Sequence, residues 1–187
     1  MRRGFKAECE RRALAAREML GLGPTDKLCP WRYADIVGAH VLGADELDLP
    51  PQHKAQLLET DPSSWSGMTL VEDEILLIVI NSAHSKARQA ATLMHEIAHS
   101  ILGHQPSSAH VSDAGLVLLS DYSDEQEEEA DWLSGVLLLP EPALIFHRGE
   151  GRSAHDIATL FGVSLDLANW RCRMSGVEKR LAFRARR

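Results

Sequence analysis

The sequence predicts an α+β fold, mostly helical with a small sheet, and three observations carry that expectation. From Ser85 to Leu102 no Gly or Pro interrupts a run rich in Ala, Leu, Met, Glu and Ile, which reads as one long helix that Gly103 can terminate. Met68 to Val71 and Ile75 to Ile80 are short Val/Ile/Leu-rich runs separated by Glu72, Asp73 and Glu74, the pattern of a β-hairpin. Ser123, followed three residues later by Gln126, has the form of a capping box, and the helix it opens should run to Leu139, where Pro140 and Pro142 stop it.

The remaining elements follow in chain order. Phe5, Cys9, Ala13, Ala16 and Leu20 recur at spacings of three and four, one face of an amphipathic helix that Gly21, Gly23 and Pro24 end. Pro30 opens a short helix carrying Tyr33, Ile36 and Val37, and Gly38 closes it into a strand around His40 to Leu42. Residues 43–66 are polar and proline-interrupted, which predicts a loop with one helical turn. Two further helices, about Ser153 to Phe161 and Ser164 to Ser175, flank a tight Gly162-Val163 link.

The chain has 187 residues, 44% of them apolar and 25% charged, enough to fill one core and too mixed for wholesale disorder, collagen or a coiled coil. No apolar stretch follows the basic N-terminus, and the longest apolar runs fall far short of the ~20 residues of a membrane helix, so a cytoplasmic protein without a membrane partner is expected. Cys9, Cys29 and Cys172 are scattered and odd in number, which suggests neither a disulfide framework nor a thiolate metal site. The formal charge of -7 makes the chain a poor generic nucleic-acid binder. That charge is unevenly spread: acids crowd Asp121 to Asp131, whereas Arg171 to Arg187 holds seven Lys or Arg against one Glu.

His95-Glu96-Ile97-Ala98-His99 is an H-E-x-x-H pattern within the long predicted helix. Residues four apart share a helix face, so both imidazoles can point at one metal ion, while Glu96, about 100° around the axis, still borders the site as a proton acceptor. A zinc ion with three protein ligands lowers the pKa of its water to about 7 and polarises a carbonyl. The extended pattern that places a third His six residues beyond the second fails, since Leu102 and Gln105 stand where Gly and His would be. His104 comes one residue early and is expected to cap the helix or lie at the site's edge. The third ligand is then a carboxylate of the next helix, where Glu125, Glu127, Glu128 and Glu129 are available. Glu127 shares a face with Asp131, which suits a pair in which Glu127 binds the metal and Asp131 holds a ligand histidine by its free ring N–H. Glu129 is the alternative ligand, and Glu125 and Glu128 read as a solvated first turn.

The sequence resembles the ImmA/IrrE family of zinc metallopeptidases. Val79-Ile80-Asn81 followed by ARQAATLMHEIAHSILGH is similar to that family's strand, basic stretch and zinc helix. Glu127 through Pro140 is similar to its second signature, with Asp131 in place of the usual Asn, Leu133-Ser134 for Phe-Ala and Leu139 for Met. AREMLGLG and IATLFGVSLDLANWR also resemble family segments. The resemblance implies a zincin-like metallopeptidase core with its sheet beside the active-site helix and a C-terminal helical lobe. It implies His95, His99 and Glu127 as zinc ligands, with manganese as an alternative ion, Glu96 as general base and Asp131 behind a ligand, similar to the Glu-x-x-x-Asp arrangement of thermolysin-like enzymes. One domain over 1–187 is expected: a peptidase core of about 25–148, a helix-turn-helix-like lobe of about 152–176 and a basic tail of 177–187, with no room for a further sensor domain.

The resemblance implies a protein substrate, a helix-turn-helix repressor whose cleavage derepresses stress-response or mobile-element genes, and Ile75 to Ile80 is expected to offer it a sheet edge. Alternatives are a metal-stabilised protein that sequesters its repressor intact, a DNA-binding regulator acting through the C-terminal lobe, and hydrolysis of a non-peptide amide. Residues 157–164 have a helix-turn-helix rhythm, but Arg171 falls where a core apolar residue is expected, and Trp170 and Met174 suggest packing on a neighbour, so a docking lobe is preferred to a DNA reader. His147, His155, Tyr33 and Tyr122 are equally eligible to stabilise an oxyanion. His40, His53, His84 and His110 have no partner at a ligand spacing.

Overall fold

The computed structural model describes residues 1–72, 75–105, 108–111, 117–120 and 122–184. Its residues divide into two compact units, Pro30–Asp131 and a second formed by Met1–Cys29 with Trp132–Arg187. The structure is mostly helical with one small sheet, as the sequence predicts. No helix among the described residues is long and apolar enough to cross a membrane.

The Pro30–Asp131 unit holds the sheet. Helix α2 (Pro30–Val37) leads through Gly38, at φ 77°, into β1 (Ala39–Gly43). The inner face of α2 is Tyr33 and Ala34, while Ile36 points outward. Residues 43–66 contain more helix than expected: a 3-10 turn (Ala44–Glu46), α3 (Pro51–Ala55) and a π-helical turn (Gln56–Thr60). Pro51 takes the first-turn position where its missing N–H costs nothing, so the Pro pair that suggested a break starts a helix.

The hairpin forms from β2 (Gly67–Glu72) and β3 (Ile75–Ile80), registered Gly67↔Ile80 to Glu72↔Ile75; its link at 73–74 lies outside the described residues. β4 (Ser108–Val111) and β5 (Val117–Ser120) complete a sheet of order β1-β3-β2-β5-β4, parallel only between β1 and β3. These two four-residue strands are too short to carry a legible alternation. The order overturns the expectation that Ile75–Ile80 offers an edge to a substrate. β3 is hydrogen-bonded to β1 on one side and β2 on the other, and its unbroken apolar run is the mark of a strand enclosed in this way. Ile78, Val79 and Ile80 are buried, as are Leu93, Met94, Ile97 and Ala98 of α4 (Lys86–Leu102), which packs on β2 and β3.

The other unit is helical. α1 (Phe5–Met19) buries Phe5, Cys9, Ala13 and Ala16, the face read from the sequence. α5 (Asp124–Leu138) has its expected capping box: Ser123 N–H donates to Gln126 Oε1 at 3.0 Å and Gln126 N–H to Ser123 Oγ at 3.3 Å. Its first half, to Asp131, belongs to the sheet unit and the remainder to this one. α6 (Glu141–Gly149) begins at the two prolines, which open it as well as end α5. α7 (Ala154–Phe161), α8 (Leu165–Ser175) and α9 (Val177–Arg184) follow, Gly162 making the α7–α8 turn at φ 68°. α9 occupies most of the stretch expected as a basic tail, whose last three residues lie outside the described residues.

Two arginines are buried in this unit. Arg171 of α8 is 1% exposed, donates to Leu139 O at 2.9 Å and pairs with Glu10 at 2.7 Å. Glu10 in turn accepts the first-turn N–H of Glu141 at 2.9 Å. Arg17 donates to Asp26 O, Ala13 O and Leu137 O, and burial brings its pKa down to about 10. Trp170 packs edge-on to Trp132 with ring centroids 5.1 Å apart, whereas Met174 is exposed. Gly135 permits this approach: a Cβ there would stand 2.7 Å from Trp170.

Candidate metal centre

His95, Glu96 and His99 lie on α4, within the long helix that the sequence predicts. Ser85 caps the helix by accepting the Arg88 N–H at 3.3 Å, and the unbroken helix beyond it stacks His95 and His99 on one face. Their Nε2 atoms are 3.0 Å apart. Glu127, in the first turns of α5, brings Oε2 to 3.2 Å from His95 Nε2 and Oε1 to 3.6 Å from His99 Nε2. One ligand atom from each of the three lies within 4.8 Å of the others.

These separations allow a test of fit. Donors about 2.0–2.1 Å from a tetrahedral zinc ion stand about 3.3 Å from one another. The three observed spacings straddle that value, and two imidazoles with one carboxylate form a familiar catalytic zinc donor set. The residues present therefore suit the ion that the sequence implies.

The other expected residues surround this triad. Asp131 Oδ1 accepts from His95 Nδ1 at 3.0 Å, the arrangement that in a neutral ring keeps the proton on Nδ1 and leaves the lone pair on Nε2. Glu96 lies beside the ligands and accepts a 2.5 Å hydrogen bond from Thr69 Oγ1 of β2. Glu129 is not among the clustered donors; its Oε2 faces His104 Nε2 at 3.6 Å. Glu125 and Glu128 are exposed, as expected for the outer face of a first turn.

The ionisable groups of the site act on one another. Burial pushes the Glu96 carboxyl above its ordinary range and the charge of Glu127 adds to this, against the lowering effect of Thr69. Burial brings His99 down to about 3, with His95 and His104 contributing. Burial also acts to lower His95, but the Asp131, Glu96 and Glu127 carboxylates outweigh it and hold its pKa above the ordinary value. The Tyr122 phenol is pushed up to about 12 by burial and by Glu96 and Glu127, so it remains protonated.

Of the four residues eligible as oxyanion donors, Tyr122 lies against a residue of the triad. Its ring stacks on His99 at 3.8 Å. Tyr33 is buried in the sheet unit's core, His155 is exposed, and His147, in the other unit, is engaged by Arg152 and the Thr25 backbone. His40 and His53 are exposed, His84 bonds Pro62 O, and the side chain of His110 lies outside the described residues. Thr69 went unnoticed in the sequence because nothing local marks it. His104 had a signal, the Gly103 stop beside it, but its inward turn depends on the helix cap.

Residues 51–173, more than half of the chain, match the model of a peptidase family described as the IrrE N-terminal-like domain. No curated protein and no solved structure matches the chain significantly.

Proposed function

The chain belongs to the ImmA/IrrE peptidase family, and from that premise we propose that it is a zinc-dependent endopeptidase whose ligands are His95, His99 and Glu127 and whose general base is Glu96. The observation that carries this reading is the meeting of the three donors beside a carboxylate that is itself held by a hydrogen bond. A zinc ion held by these three residues, or manganese in its place, would supply a Lewis acid for the scissile carbonyl and acidity for a water molecule.

The chain's own residues do the rest. Glu96 takes a proton from the attacking water and delivers it to the leaving amide nitrogen, and its burial makes it a stronger base than a surface carboxylate. Thr69 restrains the Glu96 carboxylate through its hydrogen bond to Oε2. Asp131 holds His95 in the tautomer that presents Nε2. The oxyanion donor we propose is Tyr122, a reading supported by its ring stacking on His99 and by a phenol that keeps its proton.

The substrate we propose is a helix-turn-helix repressor in the cytoplasm, a reading supported by the family's peptidase character. In this fold Arg171 supports the lobe from within and is not part of a basic face. Incubating the zinc-loaded protein with a repressor encoded beside it tests this reading: cleavage at a defined bond is expected. A repressor that leaves its DNA with both polypeptides intact on a gel would mark the protein as a sequestering binder.

A further inference from the structure

His104 stands outside the triad, yet it is built into the structure behind it. Gly103, at φ 67°, ends α4 in the left-handed region, and His104 N–H reaches back to His99 O at 3.1 Å, the six-to-one bond of a Schellman cap. The turn folds the His104 ring against His99, centroids 5.0 Å apart, with Nδ1 to Nδ1 at 3.0 Å. The His104 side chain is 7% exposed, and its Nε2 is buried without a hydrogen-bond partner among the described residues. The nearby acidic oxygen is Glu129 Oε2 at 3.6 Å, on a side chain 13% exposed.

The chemistry of the ligand sets the direction of this chain. An imidazole that offers Nε2 to a metal carries its proton on Nδ1, and a buried Nδ1–H needs an acceptor. His99 is 2% exposed, so water is a poor candidate, and His104 Nδ1 is at bonding distance. Two facing Nδ1 atoms share one proton. If His99 donates, His104 accepts on Nδ1 and keeps its own proton on Nε2, the atom facing Glu129.

We propose that His104 and Glu129 form a relay that positions the second metal ligand: the nearby Glu129 charge favours the His104 proton on Nε2, and His104 thereby accepts from His99 Nδ1 and presents His99 Nε2 to the ion. The inference rests on the assignment of His99 as a ligand. It makes the two ligand histidines unequal: His95 Nδ1 meets a carboxylate directly at an exposed Asp131, whereas His99 Nδ1 faces the enclosed His104 imidazole, with Glu129 beyond it.

Zinc affinity of the full chain, measured by competition with a chromophoric chelator, tests the relay. His104→Leu should weaken binding ~10- to 100-fold, the usual effect of removing a ligand's hydrogen-bond partner, and Glu129→Leu should weaken it by a smaller factor. His104→Asn, whose amide oxygen can accept where Nδ1 does, should rescue affinity to within about threefold of the parent chain. The apo-protein's unfolding midpoint reports folding separately. Equal losses in His104→Leu and His104→Asn, or no loss in either, would overturn the relay. Should the variants not fold, imidazole nitrogen NMR of the zinc-loaded parent decides: protons on His99 Nδ1 and His104 Nε2 support the relay, and a proton on His104 Nδ1 contradicts it. A parent chain that binds no zinc would instead remove the ligand assignment itself, and the relay with it.

Discussion

Thr69 Oγ1 on β2 donates to Glu96 Oε2 on α4 at 2.5 Å, tying the sheet to the carboxylate proposed as the base. Glu96 is raised by burial and by Glu127, and Thr69 opposes the rise by stabilising the ionised form. Thr69→Val should therefore raise the pKa of Glu96 further. Because the base works deprotonated, the acid limb of kcat/KM should move to higher pH, with a larger loss at pH 6 than at pH 8. A pH–rate profile of the variant checks both the direction and the asymmetry.

Glu127 and Asp131 lie four residues apart on one face of α5 but are proposed to serve the metal differently. Glu127→Gln replaces a charged donor and should leave the purified protein with well under one equivalent of zinc. Asp131→Asn keeps the three donors and should weaken zinc ~10- to 100-fold by releasing the His95 ring. Metal analysis after dialysis against graded chelator separates the two.

Arg171→Ala should destabilise the chain by about 3 kcal/mol, the lower end of the cost of breaking a buried pair, because Glu10 is a quarter exposed and regains some water. It also leaves the Leu139 carbonyl without its donor. Arg173, exposed on the same helix, should tolerate Ala within about 0.5 kcal/mol. Urea unfolding midpoints of the two variants provide the comparison.

His147 should give the stability a pH dependence whose sign follows from its surroundings. Burial and then the Arg152 guanidinium hold its folded pKa below the ordinary 6.5. As pH falls through 6.5 the unfolded chain takes up a proton that the folded chain resists, so this contribution is present above that pH and is lost toward the lower folded value. His147→Gln should flatten the decline of the unfolding midpoint between pH 7 and pH 5, as followed by circular dichroism.

What could be read in advance was whatever is local. The four-residue spacing of His95 and His99, the Ser123–Gln126 cap and the Gly162 turn act over one or two helical turns and appear as predicted. Glu127 is favoured among four nearby carboxylates by the helix face it shares with Asp131, with Glu129 as the alternative, and the family resemblance points to the same residue. Thr69 meets Glu96 across 27 positions, and its partner is set by sheet order, which the enclosed β3 also shows to differ from expectation. Arg171 stands at a core position in the sequence, but the partners that let it be buried there, Glu10 and Leu139, come from distant segments and are not legible locally.

The most direct test of the account is Glu96→Gln, in which metal content and cleavage of the cognate repressor are measured on the same sample. The account predicts an unchanged equivalent of zinc and a loss of at least ~100-fold in cleavage rate, the scale of general-base catalysis. Full cleavage by a variant with unchanged metal would contradict it.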